Sequence, residues 1–197
     1  MKKRALFPAA VSVFIFGTVS LVFAATTVRI SASIEEVHQL NVALNKIVGS
    51  SWTPIADLLG QGIDFGELTK GSDNVYRSNA YFVIDAPVVS NKSGWTITHS
   101  ATDFANGTAN LNSNTNVKFV KVANADNQET PLASNSFISY QTAKSRPAIQ
   151  ASELTGARLR IYYSIAGGSE DASGVSVITT SKPTGTYEGT ITLTLSP

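Results

Sequence analysis

Residues 80–99 read AYFVIDAPVVSNKSGWTITH, and no other stretch of the chain carries a clearer fold signal. Phe82 and Ile84 fall on one face of this segment and Tyr81 and Val83 on the other, which is the period-2 pattern of a β-strand. The NKSG that follows predicts a turn, and the alternating WTITH after it predicts a returning strand. We therefore predict a β-hairpin here.

Similar segments recur along the chain without a long helical pattern between them. Strand candidates lie at 28–34, 40–47, 63–66, 117–122, 137–140, 157–165, 175–178 and 187–195. The segment 49–62, around Trp52, fits a short helix or an ordered loop. Many short strands separated by turn signals predict an all-β fold, an antiparallel β-sandwich of immunoglobulin-like or Greek-key type, with a barrel as the alternative.

The N-terminus has the layout of a signal peptide. The basic cluster MKKR is followed by an apolar stretch over 5–24, and the residues around Ala24 and Ala25 predict cleavage between them. A retained membrane anchor is the alternative, but Pro8 and Gly17 interrupt the stretch. We predict a signal peptide at 1–24, a single domain at 25–197 with no membrane span, and a secreted, extracellular or cell-surface location, with the periplasm as an alternative.

Composition narrows the classes of function. With the three basic residues of 1–24 removed, 12 basic and 14 acidic side chains leave a formal charge of −2, so the mature chain lacks the basic surface that nucleic-acid binding needs. The chain has no cysteine, which excludes disulfides and thiolate metal sites. About 173 residues are enough to bury a core without such cross-links.

Few residues could act as the general base of a catalytic site, because the chain has only two histidines, His38 and His99. His99 lies beside Ser100 and four residues before Asp103, which supplies the side-chain types of a catalytic triad, but a structural histidine at a strand end explains the same pattern.

Asp64 and Glu67 could form a carboxylate pair, or they could stabilise the turn that follows by accepting backbone N–H groups. The acidic, glycine-rich loop 167–174 could hold calcium, but a turn accounts for its residues and the spacing of a calcium loop is missing. Trp52, Trp95 and the tyrosines could form a sugar-stacking platform on one sheet face, or pack in the core. We predict no catalytic residue, cofactor or metal ligand in this chain.

Two segments carry a resemblance to known families. They are IDFGEL at 63–68 and GTYEGTITLTL at 185–195. Together they resemble the spore coat U family of secreted β-sandwich proteins, which implies pilus-like, chaperone-usher-type surface assemblies. They are also similar to the WxL domains of bacterial cell surfaces, although Leu193 stands where such a domain carries tryptophan. The chain also lacks the cysteines of many coat U proteins.

The expected function is a non-enzymatic secreted or cell-surface structural subunit that assembles into a pilus-like fibre or coat. Val28, Ile30, Ala32 and Ile34 form an apolar row just after the predicted cleavage site. Pairing of this N-terminal strand inside its own sheet is the expectation, because the Glu35-Glu36 break is short, and self-association by filling the open sheet edge of a neighbouring subunit is the alternative that would build a fibre. A cell-wall or carbohydrate-binding module that binds cell-wall glycan is the first alternative function, and a small secreted hydrolase is the second.

Overall fold

The computed structural model of this chain describes four ranges, 36–57, 62–132, 137–168 and 171–197, all of them within the compact unit Glu35–Pro197. The predicted signal peptide, its cleavage site and the predicted strand 28–34 lie outside the described residues.

The described residues form short strands joined by turns, together with one short α-helix and one 3-10 turn. The strands are β1 (His38–Leu40), β2 (Ala43–Val48), β3 (Ser51–Ile55), β4 (Thr69–Lys70), β5 (Val75–Arg77), β6 (Tyr81–Ala86), β7 (Val88–Ser90), β8 (Thr96–Ala101), β9 (Ala105–Asn106), β10 (Ala109–Asn110), β11 (Thr115–Ala123), β12 (Glu129–Pro131), β13 (Ile138–Ser139), β14 (Ile149–Gln150), β15 (Ala157–Ile165), β16 (Ile178–Thr179) and β17 (Ile191–Ser196). Helix α1 spans Tyr140–Ala143, and a 3-10 turn spans Ala151–Leu154.

The large sheet has seven strands, in the order β12-β11-β15-β6-β2-β3, with β13 also paired to β11. Its centre is the β11–β15 pair, which runs over nine residues from Thr115↔Ile165 to Ala123↔Ala157. β-strand side chains alternate between faces, and the core cluster lies on the inner face, toward the smaller sheet, while Ile47, Val83 and Val120 are buried on the opposite, outer face. Phe82, Ile161 and Tyr163 belong to that inner face, and each is at most 1% exposed.

The smaller sheet has the order β14-β8-β17 and supplies the other half of the core. Ile97 is fully buried on β8. Its register neighbours are Ile149 on one side and Leu195 on the other. Both sheets contribute to one hydrophobic cluster, so the core lies between them. Every strand pair in the described part of the chain is antiparallel, and the prediction of an all-β antiparallel sandwich is confirmed.

The predicted hairpin at 80–99 is wrong. Strand β6 pairs with β15 and β2, β7 pairs with β1, and β8 lies in the smaller sheet. Pro87 separates β6 from β7 and has no N–H to donate to a ladder, while its carbonyl accepts the Asn41 N–H at 3.1 Å. The chain therefore leaves the large sheet after β6. The NKSG segment, where the sequence predicts a turn back alongside β6, leads instead into β8 of the smaller sheet.

Other strand predictions hold to different degrees. The strands at 117–122 and 157–165 are confirmed as β11 and β15, and the strand at 187–195 is confirmed from Ile191 onwards. The predicted strand at 63–66 is not a strand in the structure. The predicted strand at 40–47 is divided between β1 and β2, and a strand that was not predicted occupies 51–55. The predicted strands at 137–140 and 175–178 shrink to β13 and to the start of β16.

The strand at 51–55 was missed because of its proline. Gly49 and Ser50 form a two-residue turn between β2 and β3, and Gly49 has a φ of 60°, a conformation that glycine adopts without strain. Pro54 is tolerated in β3 because this strand is at the sheet edge.

In the described ranges, no helix is long and apolar enough to cross a membrane.

Candidate functional site

His99, the strongest candidate for a catalytic base, is a core residue. It is 3% exposed, and its ring lies between the two sheets. Its Nδ1 lies 3.0 Å from the Ala143 carbonyl oxygen, and its Nε2 lies 2.8 Å from the Tyr163 hydroxyl. Because a carbonyl can only accept, Nδ1 donates and the neutral Nε2 accepts from Tyr163. Asp103 instead binds Lys144 and Asn112, so the predicted triad ingredients do not assemble.

Burial lowers the pKa of His99, because the charged imidazolium would lose its hydration, and the charge of Arg146 adds to this effect. The folded state therefore keeps His99 neutral below pH 6.5, where the unfolded chain binds a proton. We expect the free energy of unfolding to fall as the pH drops below 6.5, by at most about 1.4 kcal/mol per pH unit from this residue.

Urea unfolding of the wild type and of His99→Gln at pH 7.5, 6.0 and 5.0 measures this effect. We expect the loss of stability on acidification to be smaller in the variant, because the variant has no imidazole at position 99. Equal slopes in the two proteins would contradict the assignment.

The other polar candidates have structural roles in the described residues. Asp64 Oδ1 accepts the Gly66 N–H at 2.7 Å, which confirms the turn-stabilising interpretation. The carboxylate of Asp171, in the glycine-rich loop, accepts the N–H groups of Gly167 and Gly168 at 3.1 and 2.7 Å. It also accepts an Asn116 Nδ2–H at 2.7 Å, so three of its four or so acceptor positions are used within the protein. No group of three potential His, Asp or Glu metal ligands occurs among the residues described.

A groove at one end of the sandwich brings together the two segments that carry the family resemblance. A cavity of about 590 Å³ has 63–68 on one wall and 182–187 on the other. A second cavity of about 690 Å³ shares Phe65, Phe104 and Tyr187 with it and continues to Ile191, the first residue of β17. The two cavities therefore form one groove that ends at β17.

The lining of this groove combines aromatic and aliphatic side chains with polar and charged ones such as Asp64, Glu67 and Lys182. Leu111, Ile165 and Ile178 form a small buried cluster beneath the first cavity. The Phe104 ring lies 6.4 Å from the ring of Tyr187 and 6.3 Å from that of Phe65. The aromatic and aliphatic part of this lining offers contact surface for apolar side chains.

The segment that leads into β17 is held tightly against the body of the sandwich. Glu188 exchanges both of its backbone hydrogen bonds with Ala105, at 2.9 Å each. A Cβ on Gly189 would lie 2.9 Å from the Asp103 carbonyl oxygen, so only glycine fits this close approach. The glycines of GTYEGT thus set the position of one groove wall.

Strand β17 is an edge strand, with β8 as its hydrogen-bonded neighbour among the described residues. The Thr102 N–H donates to the Thr190 carbonyl at 3.0 Å, so this pair is a hydrogen-bonded one. Because hydrogen-bonded and non-hydrogen-bonded pairs alternate in an antiparallel ladder, Ile191, Leu193 and Leu195 direct their backbone N–H and C=O groups away from β8.

This edge differs from the other edges in the described ranges. The other outer strand of the smaller sheet, β14, has only two residues. In the large sheet, β3 contains Pro54 and β12 contains Glu129 and Pro131. Proline, charge and short length are the usual devices against edge-to-edge pairing. Strand β17 has six residues and none of these devices, and β1 lies close to it without pairing.

Comparison with known proteins finds no match to this chain, whether with a protein-family model, with a curated protein or with a solved structure.

Proposed function

We propose that this chain is a non-enzymatic secreted or cell-surface structural subunit that assembles into a pilus-like fibre or coat by strand addition at β17. One observation carries the proposal: a six-residue, uncharged, proline-free edge whose outward backbone groups belong to Ile191, Leu193 and Leu195. In strand addition, the main-chain hydrogen bonds supply affinity and the alternating side chains supply specificity.

The proposed occupant of this edge is the segment 25–35 of a second copy. Its sequence ATTVRISASIE places Val28, Ile30, Ala32 and Ile34 on one face of an extended strand. The groove next to β17 supplies aromatic and aliphatic surface for such a row. The resemblance to the spore coat U family supports the same interpretation, because both segments that carry it line this groove.

The experiment compares the mature chain 25–197 with a chain that begins at residue 36. We expect the first to form polymers that grow with concentration, seen by light scattering and negative-stain microscopy. The second should fold, because its described residues contain the whole of the core cluster, but stay monomeric. A synthetic peptide of residues 25–35 should bind the shortened chain and raise its melting temperature.

A peptide with Ile30→Asp and Ile34→Asp is the matched control, because it keeps the length and the backbone groups but loses the apolar row. We expect it not to bind. If the mature chain stays monomeric at high concentration, or if removal of 25–35 unfolds the monomer, the segment pairs within its own subunit and the proposed mechanism is wrong.

A further inference from the structure

The outer face of the large sheet, opposite to the core, carries a connected layer of aromatic and charged side chains. Its members come from four strands: Trp52 on β3, Asp85 on β6, Arg160 and Tyr162 on β15, and Glu129 on β12. We call this set the Trp52 layer. The register places Asp85 beside Arg160 and places Trp52 beside Ile47, which is fully buried.

The centre of the Trp52 layer is a guanidinium held by two carboxylates. Arg160 donates to both carboxylate oxygens of Asp85, at 2.7 and 2.9 Å, and to Glu129 Oε1 at 2.7 Å. The Tyr162 hydroxyl donates to the same Glu129 oxygen at 2.5 Å. The Arg160 side chain is only 13% exposed, so its bonds to Asp85 are partly sheltered from solvent, whereas Glu129 is exposed. A fork of this kind fixes the plane of the guanidinium.

This fixed guanidinium in turn positions the indole of Trp52. The Arg160 Cζ lies over the Trp52 ring, 5.2 Å from its centroid, in a cation–π contact. Trp52 is nevertheless 46% exposed. Because Arg160 covers one face of the ring, the opposite face is the one on which a flat ligand could stack.

The size and charge of this surface favour a sugar over a protein. Of the Trp52 layer, only Trp52 is among the large apolar side chains that are exposed, whereas a stable protein interface buries about 800 Å² on each partner. Asp85, Glu129 and Arg160 together carry a formal charge of −1, which the nearby Arg158 offsets. The remaining nearby cations, Arg158 and Lys118, contact Asp85 and the Tyr162 ring respectively. A neutral ligand with an apolar face and hydroxyl groups fits these properties.

We propose that Trp52 is a stacking platform for a neutral glycan of β-1,4-linked pyranose rings. In such a chain the ring substituents are equatorial, so the C–H bonds cover flat faces that can lie on an indole. The ribbon is also straight, whereas an α-1,4-linked chain curves away from such a face. This site lies on the large sheet and the β17 edge on the smaller one, so the glycan proposal and the assembly proposal can fail separately.

The test titrates the mature chain with cellohexaose and with N-acetylglucosamine hexamer, followed by calorimetry and by tryptophan fluorescence. Maltohexaose, whose α-1,4 linkages curve the chain, is the comparison ligand. We expect at least one of the two straight oligosaccharides to bind, and maltohexaose to bind more weakly. Trp52→Ala should weaken binding about tenfold or more, and Trp52→Tyr should retain part of the affinity.

Val48→Ala is the matched control, because Val48 is 45% exposed on the same β2–β3 hairpin and does not belong to the Trp52 layer. We expect it to bind like the wild type. Arg160→Lys should weaken binding while the protein stays folded. An ammonium lacks the flat guanidinium that lies over the Trp52 ring, so it would position the indole less well. The proposal is overturned if neither straight oligosaccharide binds, if maltohexaose binds equally well, or if Trp52→Ala binds with unchanged affinity.

Discussion

Deleting residues 186–197 is expected to abolish cooperative unfolding. The deletion removes β17, which pairs with β8 over six residues and packs Ile191, Leu193 and Leu195 against the core. Its loss would leave Ile97 and His99 of β8 without their neighbours on one side, so the smaller sheet would retain only the two-residue pairing with β14. Circular dichroism during thermal and urea unfolding measures the result, and we expect a broad, non-sigmoidal transition.

The matched control is the double variant Thr192→Ala and Thr194→Ala, which alters the same strand on its exposed face. We expect it to melt cooperatively, with a free energy of unfolding within about 1 kcal/mol of the wild type. A truncated chain that still melted sharply near the full-length midpoint would show that β17 is dispensable for the core.

The central strands of the large sheet could be predicted from the sequence because burial imposes a strict pattern on them. In β15, Leu159, Ile161 and Tyr163 are buried and the residues between them are not, which is the alternation that the sequence displays. The pairing of strands could not be predicted in the same way. A turn signal such as NKSG fits a hairpin and a crossover between sheets equally well, and the choice depends on distant partners such as β15 and β17.

The candidate sites, like the strands, could be predicted from the sequence only in part. The sequence identified IDFGEL and GTYEGT as unusual, and the structure shows that they face each other across one groove. Trp52 could be named from the sequence as a candidate stacking residue, but its partners Asp85, Glu129 and Arg160 could not, because they are distant in sequence and meet only through strand register and side-chain reach. His99 lies within β8 and not at a strand end as predicted, and its partner Tyr163 could be found only from the three-dimensional packing.

Phe82→Ala is expected to destabilise the fold by about 3–5 kcal/mol, the range for loss of a fully buried aromatic side chain. Phe82 is 1% exposed on β6, which lies between β15 and β2 in the large sheet. Its ring meets the ring of Phe65 edge to face, with centroids 5.2 Å apart. The truncation would therefore also remove the support behind one groove wall. Chemical unfolding gives the loss of stability, and near-ultraviolet circular dichroism reports the aromatic packing.

Tyr81→Ala is the natural comparison, because Tyr81 precedes Phe82 on the same strand and points to the opposite face, beside Ile47. Its side chain is only partly buried, and its ring lies 6.3 Å from that of Tyr162. We expect it to cost clearly less than Phe82→Ala and to leave the near-ultraviolet signal of the groove aromatics in place. If the two variants lost the same free energy of unfolding, the outer face would stabilise the fold as much as the core between the sheets. That result would contradict the view that one central core stabilises this sandwich.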